Sequence, residues 1–311
     1  MNDTGYHSDT QYEEREIPFS HSGMRLDQSL SRIFSSLSRT QWQHLIEKKC
    51  VYLNDTLPKK RDRVAGGEKV RIRFPQQESY HLTPEPMSFH ILYEDEQLFI
   101  INKPPNLVVH PAPGNRTGTF VHGFLAHCQT MQGLDPIRPG IVHRLDKETS
   151  GVLIAAKTLQ ALDNLSQQFQ KRSVIKEYLA IVSGTFPKYK QIQHPIGRDP
   201  KNRKKMTVLP TGRSAYTECF SIKHISQYSL LKILLHTGRT HQIRVHLRYE
   251  GFPVTGDTLY GYKHRDLHVT RQLLHCHKIT FFHPLHKEPL AIEAPLPHDM
   301  EHFLKIIGRN S

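Results

Sequence analysis

The chain has 311 residues, enough for one large or two smaller domains with a sizeable core. Lysine and arginine outnumber aspartate and glutamate by 42 to 29, and this net charge of +13 favours a polyanionic partner over an unspecialised basic surface. No apolar run approaches the ~20 residues of a membrane span, and the four cysteines form no CxxC pair. We therefore expect a cytoplasmic protein without a membrane segment.

Residues 1–16 are rich in serine, threonine, tyrosine and acidic residues, and we predict a disordered tail there. Residues 17–75 predict a first domain. Apolar residues at helical spacing predict one helix over residues 26–37 and a second that carries Trp42, capped by Ser38 or Thr40. Strands at 51–53 and 69–74 follow, separated by a basic run at 59–63.

This succession of two helices, a turn and alternating strands resembles an S4 RNA-binding domain. The resemblance implies that basic side chains of this domain contact phosphates, whereas a solvated helical face would explain each of them singly. The candidates for phosphate contacts are Arg39, Lys48, Lys59, Lys60 and Arg61.

A polar, proline-containing stretch at 76–88 predicts a linker, and residues 89–311 predict a second domain. Many short strands with few crossover helices favour an α+β fold with a mixed, mostly antiparallel sheet. Strands are predicted at 91–93, 98–101, 107–109, 177–182, 215–222, 230–235 and 279–282, and helices at 119–131, 159–170 and 240–251.

The most informative segment is 139–151, which reads PGIVHRLDKETSG. A carboxylate, Asp146, lies there between Arg144 and Lys147, and neighbouring cations stabilise an ionised acid. Such an acid is a nucleophile or a weak base rather than a proton donor. The apolar run at 151–156 reads as a buried strand, so the acid lies where a loop enters the core, which favours a catalytic role over a solvated loop.

The nine residues 143–151 also resemble the signature of the RluA family of pseudouridine synthases. The likeness extends over about residues 20–300 and is greatest to the RluD branch, which modifies large-subunit ribosomal RNA. The other matching stretches are INKP at 101–104, VHP at 109–111, KEY at 176–178, TGRTHQIRVH at 237–246, GD at 256–257, YG at 260–261 and LH at 274–275.

The resemblance implies an enzyme that isomerises specific uridines to pseudouridine in large-subunit ribosomal RNA, in a stem-loop. It implies a catalytic sheet with a cleft across its middle, no cofactor and no metal. The implied partner is ribosomal RNA or a large-subunit precursor particle, and a monomer is expected.

Five residues receive roles from the family motifs. Asp146 acts on the ribose, either by attack at C1′ or by removal of the C2′ proton, and Arg244 pairs with it. Tyr178 stacks on the uracil or accepts the C5 proton. Arg144 enters the RNA stack when the target nucleotide is flipped out, and Leu274 lines the uracil pocket.

Lys103 is interpreted as support beside the cleft and is counted with the RNA-binding residues. Arg203 and Lys204 belong to a basic, turn-rich loop that we expect to contact phosphates. Four histidines are expected to pack or to contact phosphate rather than to act as bases: His110, His143, His241 and His246.

Three alternatives remain open at this stage. The same reaction could take place at another ribosomal site or on transfer RNA. The chain could be a non-catalytic S4-type RNA-binding protein, although binding alone does not need Asp146, Tyr178 and Arg244. A metal-dependent nuclease would need clustered carboxylates, and the sequence offers no such cluster.

Overall fold

A computed structural model describes residues 12–34, 37, 39–74, 82–112, 114–128, 139–202, 204–261 and 269–309. The chain divides into two compact units, Met1–Tyr80 and His81–Ser311, so the division falls inside the predicted linker. Of that linker, residues 82–88 are described and belong to the second unit, where the Glu85 amide donates to the His122 carbonyl at 3.0 Å. In neither unit do the described residues form a helix long and apolar enough to cross a membrane.

The first unit packs two helices against a small sheet. Leu26, Leu30, Trp42, Val70 and Ile72 are buried together in its core, as the helical and strand spacings predict. Its elements are β1 (Tyr12–Glu16), a short 3-10 helix (Phe19–His21), α1 (Leu26–Ile33), α2 (Arg39–Glu47), β2 (Val51–Leu53) and β3 (Lys69–Arg73).

Two expectations for the first unit need correction. Residues 12–16 are not a disordered tail but form β1, which pairs antiparallel with β3; residues 1–11 lie outside the described part. The sequence pattern did not reveal this acidic strand, because its stability comes from pairing with β3. In that pairing Glu14 lies opposite Arg71 and Glu16 opposite Lys69. Thr40 lies inside α2 and does not cap it, and Ser38 is not described.

The second unit contains the remaining elements. They are β4 (Ile91–Glu94), β5 (Leu98–Lys103), α3 (Phe120–His127), β6 (Ser150–Ala156), α4 (Leu159–Gln170), β7 (Ile175–Ser183), β8 (Tyr189–Ile192), β9 (Ile196–Arg198), β10 (Met206–Val208), β11 (Thr217–Ile225), β12 (Tyr228–Leu235), α5 (Gln242–Tyr249), β13 (Leu274–Phe282), β14 (Pro289–Glu293) and α6 (His298–Arg309).

Within the described residues, nine strands of this unit form one sheet, in the order β4-β5-β6-β13-β7-β12-β11-β8 with β14 against β13. Every pairing is antiparallel except that of β13 with β6, which confirms a mixed, mostly antiparallel sheet. The two central strands β6 and β7 flank β13. The loop that precedes β6 therefore opens over the middle of the sheet.

Both faces of the sheet are covered. Along β6, Val152 and Ile154 contact one hydrophobic cluster while Leu153 and Ala155 contact another, because successive side chains point to opposite faces. Helices α4 and α5 pack on the first face, and α3 packs on the second. This two-sided burial explains the continuous apolar run by which β6 was predicted.

The predicted strand at 107–109 is wrong. These residues form a loop, and the Leu107 carbonyl accepts a hydrogen bond from the buried Lys103 ammonium at 2.9 Å instead of a ladder partner. The helix predicted at 240–251 is shorter, α5, and it begins after His241 rather than at a Thr240 cap. Short strands β8, β9, β10 and β14 were not predicted, since strands of three to five residues carry little periodicity; helix α6 was also not predicted.

Gly151 tests how tightly the central strands are joined. Its φ is +113°, and a Cβ built there would lie 2.1 Å from the Cys276 carbonyl oxygen of β13. We expect Gly151→Ala to lower the free energy of unfolding by at least ~3 kcal/mol in urea denaturation, through backbone strain and clash.

Gly308→Ala in α6 is the matched control, because nothing lies within 4 Å of its built Cβ and alanine favours a helix by up to ~1 kcal/mol. Equal stability of the two variants would contradict the tight parallel pairing of β6 and β13.

Candidate active site

Asp146 lies in the loop that leads into β6. Its backbone carbonyl accepts the Thr149 amide at 3.1 Å, which closes a turn directly before the strand. Its side chain is 23% exposed and faces a cleft, so the carboxylate is accessible while the loop itself is held. The position agrees with the expectation of a reactive acid where a loop meets the core.

Lys103 at the end of β5 holds this loop through backbone carbonyls. Its side chain is fully buried, and its ammonium donates to the carbonyls of Pro104, Leu107 and Lys147 at 2.8, 2.9 and 3.0 Å. Burial, reinforced by the charge of Arg271, lowers the pKa of Lys103 to about 7. A lysine without exposed surface cannot contact RNA, so its place among the RNA-binding residues is wrong; it is a structural tether.

Arg244 connects Asp146 to a second acid. Its Nη1 donates to Asp146 Oδ2 at 2.8 Å, while Nε and Nη2 donate to Asp257 Oδ2 and Oδ1 at 2.7 and 2.9 Å. The Arg244 guanidinium also packs over the Tyr260 ring, with its Cζ 5.1 Å from the ring centroid. The predicted pairing of Arg244 with Asp146 is therefore present in the structure.

Asp257 was not singled out from the sequence, although it lies in a matching stretch. It is fully buried, and its Oδ1 also accepts the amides of Leu259 and Tyr260 at 2.9 and 3.0 Å. Burial opposes its ionisation, but hydrogen bonds and charge from Arg244 outweigh burial and hold the pKa of Asp257 below its usual value. The two carboxylates likewise raise the pKa of Arg244 in spite of burial.

Tyr178 on β7 and Leu274 at the start of β13 lie on adjacent strands and line the same cleft as Asp146. Both side chains are almost completely buried, at 6% and 4% exposure. Burial raises the pKa of Tyr178 well above that of a free phenol, and a hydrogen bond to Cys276 adds to this. The phenol is therefore neutral at pH 7.

His241 is the second residue near Asp146 whose place the sequence did not reveal. Its φ of +56° puts it in the left-handed region, directly before α5. Its Nε2 lies 4.0 Å from Asp146 Oδ1, and its Nδ1 lies 2.8 Å from the Tyr260 hydroxyl. Burial lowers the pKa of His241 although Asp146 acts in the opposite direction, so the imidazole is neutral at pH 7.

Asp146 lies where two adjoining cavities meet, with volumes of about 500 and 800 Å³. Arg144 lines both cavities and is exposed, and Lys204 lines the larger one. Arg203 is outside the described residues. Three further arginines line the smaller cavity and were not singled out from the sequence: Arg172 and Arg213, which lie outside the matching stretches, and Arg239, which lies within one.

Two of the remaining histidines that we considered serve packing. The His143 ring stacks on Phe169, accepts the Ile154 amide at 2.9 Å, and has its pKa lowered by burial to about 3. His246 is buried and bonds the His194 carbonyl at 2.9 Å. Both agree with a structural role.

The cations proposed for the first unit divide into two groups. Arg39 donates to the buried Asp27 at 2.8 Å, and Lys60 pairs with Glu47 at 2.5 Å, so both are engaged within the unit. The side chains exposed to solvent around the same turn and helix end are Lys48, Lys59 and Arg61.

One group with metal-ligand side chains exists in the described part of the chain, formed by Glu94, His127 and Cys128. The Lys157 ammonium lies 2.9 Å from Glu94, and burial raises the pKa of the Cys128 thiol to about 11. A neighbouring cation and a protonated thiol make this group a poor metal site.

The sheet is crossed by a cationic cleft with one accessible acid fixed by a buried arginine, and this arrangement agrees with the site expected of a pseudouridine synthase. A family model described as RNA pseudouridylate synthase matches residues 97–249. A ribosomal large subunit pseudouridine synthase D of Neisseria meningitidis is 40% identical over 94% of this chain and 80% of its own length. The uncharacterized RNA pseudouridine synthase YlyB of Bacillus subtilis is 39% identical over 92% of this chain and 95% of its own length.

This chain therefore belongs to the RNA pseudouridine synthase family. A solved structure of human RNA pseudouridylate synthase domain containing 4 shares the fold, with a TM-score of 0.56 at 24% identity over 70% of this chain and 92% of its own.

The anchoring of Arg244 can be tested at Asp257. Asparagine keeps an oxygen for the two backbone amides, but its amide nitrogen cannot accept from the guanidinium. We expect Asp257→Asn to lower kcat of pseudouridine formation about 100-fold, because a small displacement of a reacting group has that effect. Tritium release from RNA labelled at uridine C5 measures the rate.

Glu293→Gln is the control, because it makes the same chemical change in the exposed pair with Lys278. Full activity of Asp257→Asn in a folded protein would show that Arg244 needs no second acid.

Proposed function

We propose that this protein converts specific uridines of large-subunit ribosomal RNA to pseudouridine, within a stem-loop of the RNA or of a precursor particle. The relatives named for that activity support the substrate, since several are 35–40% identical over 94% or more of this chain. The observation that best supports this reaction is the hydrogen bond from Arg244 to Asp146 at 2.8 Å. It gives the cleft one oriented, accessible carboxylate.

Pseudouridine formation needs a carboxylate that reaches the ribose, a pocket for the detached base and an acceptor for the C5 proton. Asp146 fills the first role, by attack at C1′ or removal of the C2′ proton. Arg244 occupies Oδ2, so Oδ1 is the oxygen that reaches the sugar. A preorganised ion pair of this kind fixes the orientation of the carboxylate without reorganisation during the reaction.

Tyr178 and Leu274 form the base pocket in this proposal. The burial of both side chains provides an apolar floor on which the uracil ring packs after it leaves the stack. Because the phenol of Tyr178 is neutral at pH 7, we assign it the packing of the base ahead of proton acceptance.

The cleft arginines guide the RNA strand. Arg144 lies beside Asp146 and replaces the flipped nucleotide in the stack. Arg172, Arg213 and Arg239 surround the same cavity and supply positive charge for backbone phosphates. Lys204 extends this charge along the larger cavity.

The first unit acts as an S4-type RNA-binding module in this proposal. Its helices and strands follow the predicted succession, and Lys48, Lys59 and Arg61 present exposed charges. These three side chains are the phosphate contacts that we retain, because Arg39 and Lys60 are paired with acids.

The reaction and its substrate are tested together in cells. Pseudouridines are mapped on total RNA from cells without the gene and from the same cells that carry the wild-type or Asp146→Asn gene. We expect specific large-subunit sites to disappear on deletion, to return with the wild-type gene and to stay absent with Asp146→Asn. Asp163→Asn, an exposed acid of α4, should restore them fully.

Loss of sites in transfer RNA alone would replace the proposed substrate and keep the reaction. A map that deletion leaves unchanged would contradict the proposed reaction. Full restoration of the sites by Asp146→Asn would contradict the role of the acid.

The role proposed for the S4-type unit predicts how RNA binding depends on salt concentration. Each phosphate contact that is lost lowers the slope of log K against log salt by about 1. We expect replacement of Lys48, Lys59 and Arg61 by glutamine to weaken RNA binding and to reduce that slope by about 3. Filter binding over a salt series measures both.

The control replaces three exposed lysines of the second unit, Lys188, Lys223 and Lys305, by glutamine. Equal slopes for both triple variants would show that net charge alone, without an RNA-binding surface on the first unit, determines affinity.

A further inference from the structure

The two oxygens of the Asp146 carboxylate have different surroundings. Oδ2 accepts from Arg244 Nη1 at 2.8 Å. Oδ1 faces the His241 ring, whose Nε2 is 4.0 Å away. That separation is too long for a direct hydrogen bond. It fits one oxygen atom placed at ~2.8 Å from both atoms, the ordinary length of a hydrogen bond.

The hydrogen bonds of Tyr260 determine which nitrogen of His241 carries the proton. The Tyr260 oxygen accepts the Met206 amide at 2.8 Å, and an amide N–H cannot accept in return. The phenolic proton is therefore directed at the other neighbour, His241 Nδ1, at 2.8 Å. Nδ1 accepts, so the neutral imidazole carries its proton on Nε2, the nitrogen that faces Asp146.

An N–H donor and a carboxylate acceptor thus face each other across a gap of one atom. A hydroxyl group satisfies both, since it accepts from Nε2–H and donates its own proton to Oδ1. A water would also fit, but the gap opens into the cleft where the ribose of a flipped nucleotide must approach Asp146. The ribose hydroxyl nearest to C1′ is the 2′-hydroxyl, which is bonded to C2′.

We propose that His241 and Asp146 together bind the 2′-hydroxyl of the target ribose, with Tyr260 fixing the His241 ring. The inference rests on the proposed function and deepens it, because it names the group that makes the site selective for RNA over DNA. Held there, the hydroxyl keeps C1′ and C2′ next to the carboxylate. His241 is thus a substrate-positioning residue, in contrast to the packing role expected from the sequence.

The conformation of His241 supports a functional constraint at this position. A left-handed backbone is uncommon for residues other than glycine, although histidine adopts it more often than most, and it costs of order 1 kcal/mol. Here it turns the ring toward Asp146, immediately before α5 delivers Arg244 to the same carboxylate. Residues 241–244 therefore supply both side chains that face the Asp146 carboxylate, His241 and Arg244.

The test compares two RNA probes that differ in one oxygen. Each is a stem-loop from a site found by the mapping experiment and carries pseudouridine at the target position, so that no turnover occurs during the measurement. One probe has a ribose at that nucleotide and the other a 2′-deoxyribose. Dissociation constants are measured for the wild type, His241→Phe, His241→Gln and His236→Phe.

We expect the wild type to bind the ribose probe about three- to tenfold more tightly, as for one or two hydrogen bonds. His241→Phe should keep the wild-type affinity for the deoxyribose probe and should prefer the ribose probe by no more than about twofold, because only the bond to Asp146 remains. His241→Gln, which keeps an N–H donor, should retain a preference above twofold. His236→Phe should keep the full preference, because His236 lines the cavity but bonds Glu218.

A His241→Phe variant that weakens both probes equally, or that keeps the ribose preference, would overturn the inference, as would a wild type without preference. Turnover of the matching uridine stem-loop by the wild type separates this failure from that of the proposed function. If the wild type converts that uridine and no probe difference depends on His241, only the inference is lost.

Discussion

The site depends on one buried guanidinium. Arg244 is 7% exposed and lies between a fully buried acid, Asp257, and a partly exposed one, Asp146. Burial of such charges is unfavourable unless each is paired and hydrogen-bonded. Here all three guanidinium nitrogens donate to the two acids. Asp257 takes Nε and Nη2, which fixes the guanidinium plane, and the remaining Nη1 then fixes the orientation of Asp146. This one side chain joins α5 to the turn that carries Asp257, 13 residues further on, and to the loop of Asp146, 98 residues before it.

The loop of Asp146 is also restrained through its backbone. Lys103 binds the carbonyl of Lys147, the residue after the acid, and two further carbonyls of its own loop. Gly151 brings the following strand against β13, closer than any side chain would permit. A carboxylate held both through its side chain and through the backbone of its loop needs little reorganisation when the substrate arrives, which is the condition for electrostatic catalysis.

Much of the fold follows from local patterns, and its exceptions share a cause. Helix α4 matches the predicted residues, and the long strands were found because their side chains alternate or are apolar throughout. Strand β1 was missed because its stability comes from pairing with β3, which its own acidic residues do not reveal. The segment 107–109 has a strand-like composition, but Lys103 takes one of its carbonyls and leaves it as a loop. In both cases a distant partner decided the structure of a short segment.

By itself the sequence determined the family, and it singled out Asp146 as the candidate acid and Arg244 as its expected partner, because contiguous motifs carry these residues. Only the tertiary structure decided that Asp257 completes the ion cluster, that His241 faces the acid across the width of one atom, and that Lys103 is a buried tether. The physical reason is that hydrogen bonds and charge pairs depend on distances of ~3 Å in space. Spacing along the chain does not record such distances between segments that are up to about a hundred residues apart, as Asp146 and Arg244 are.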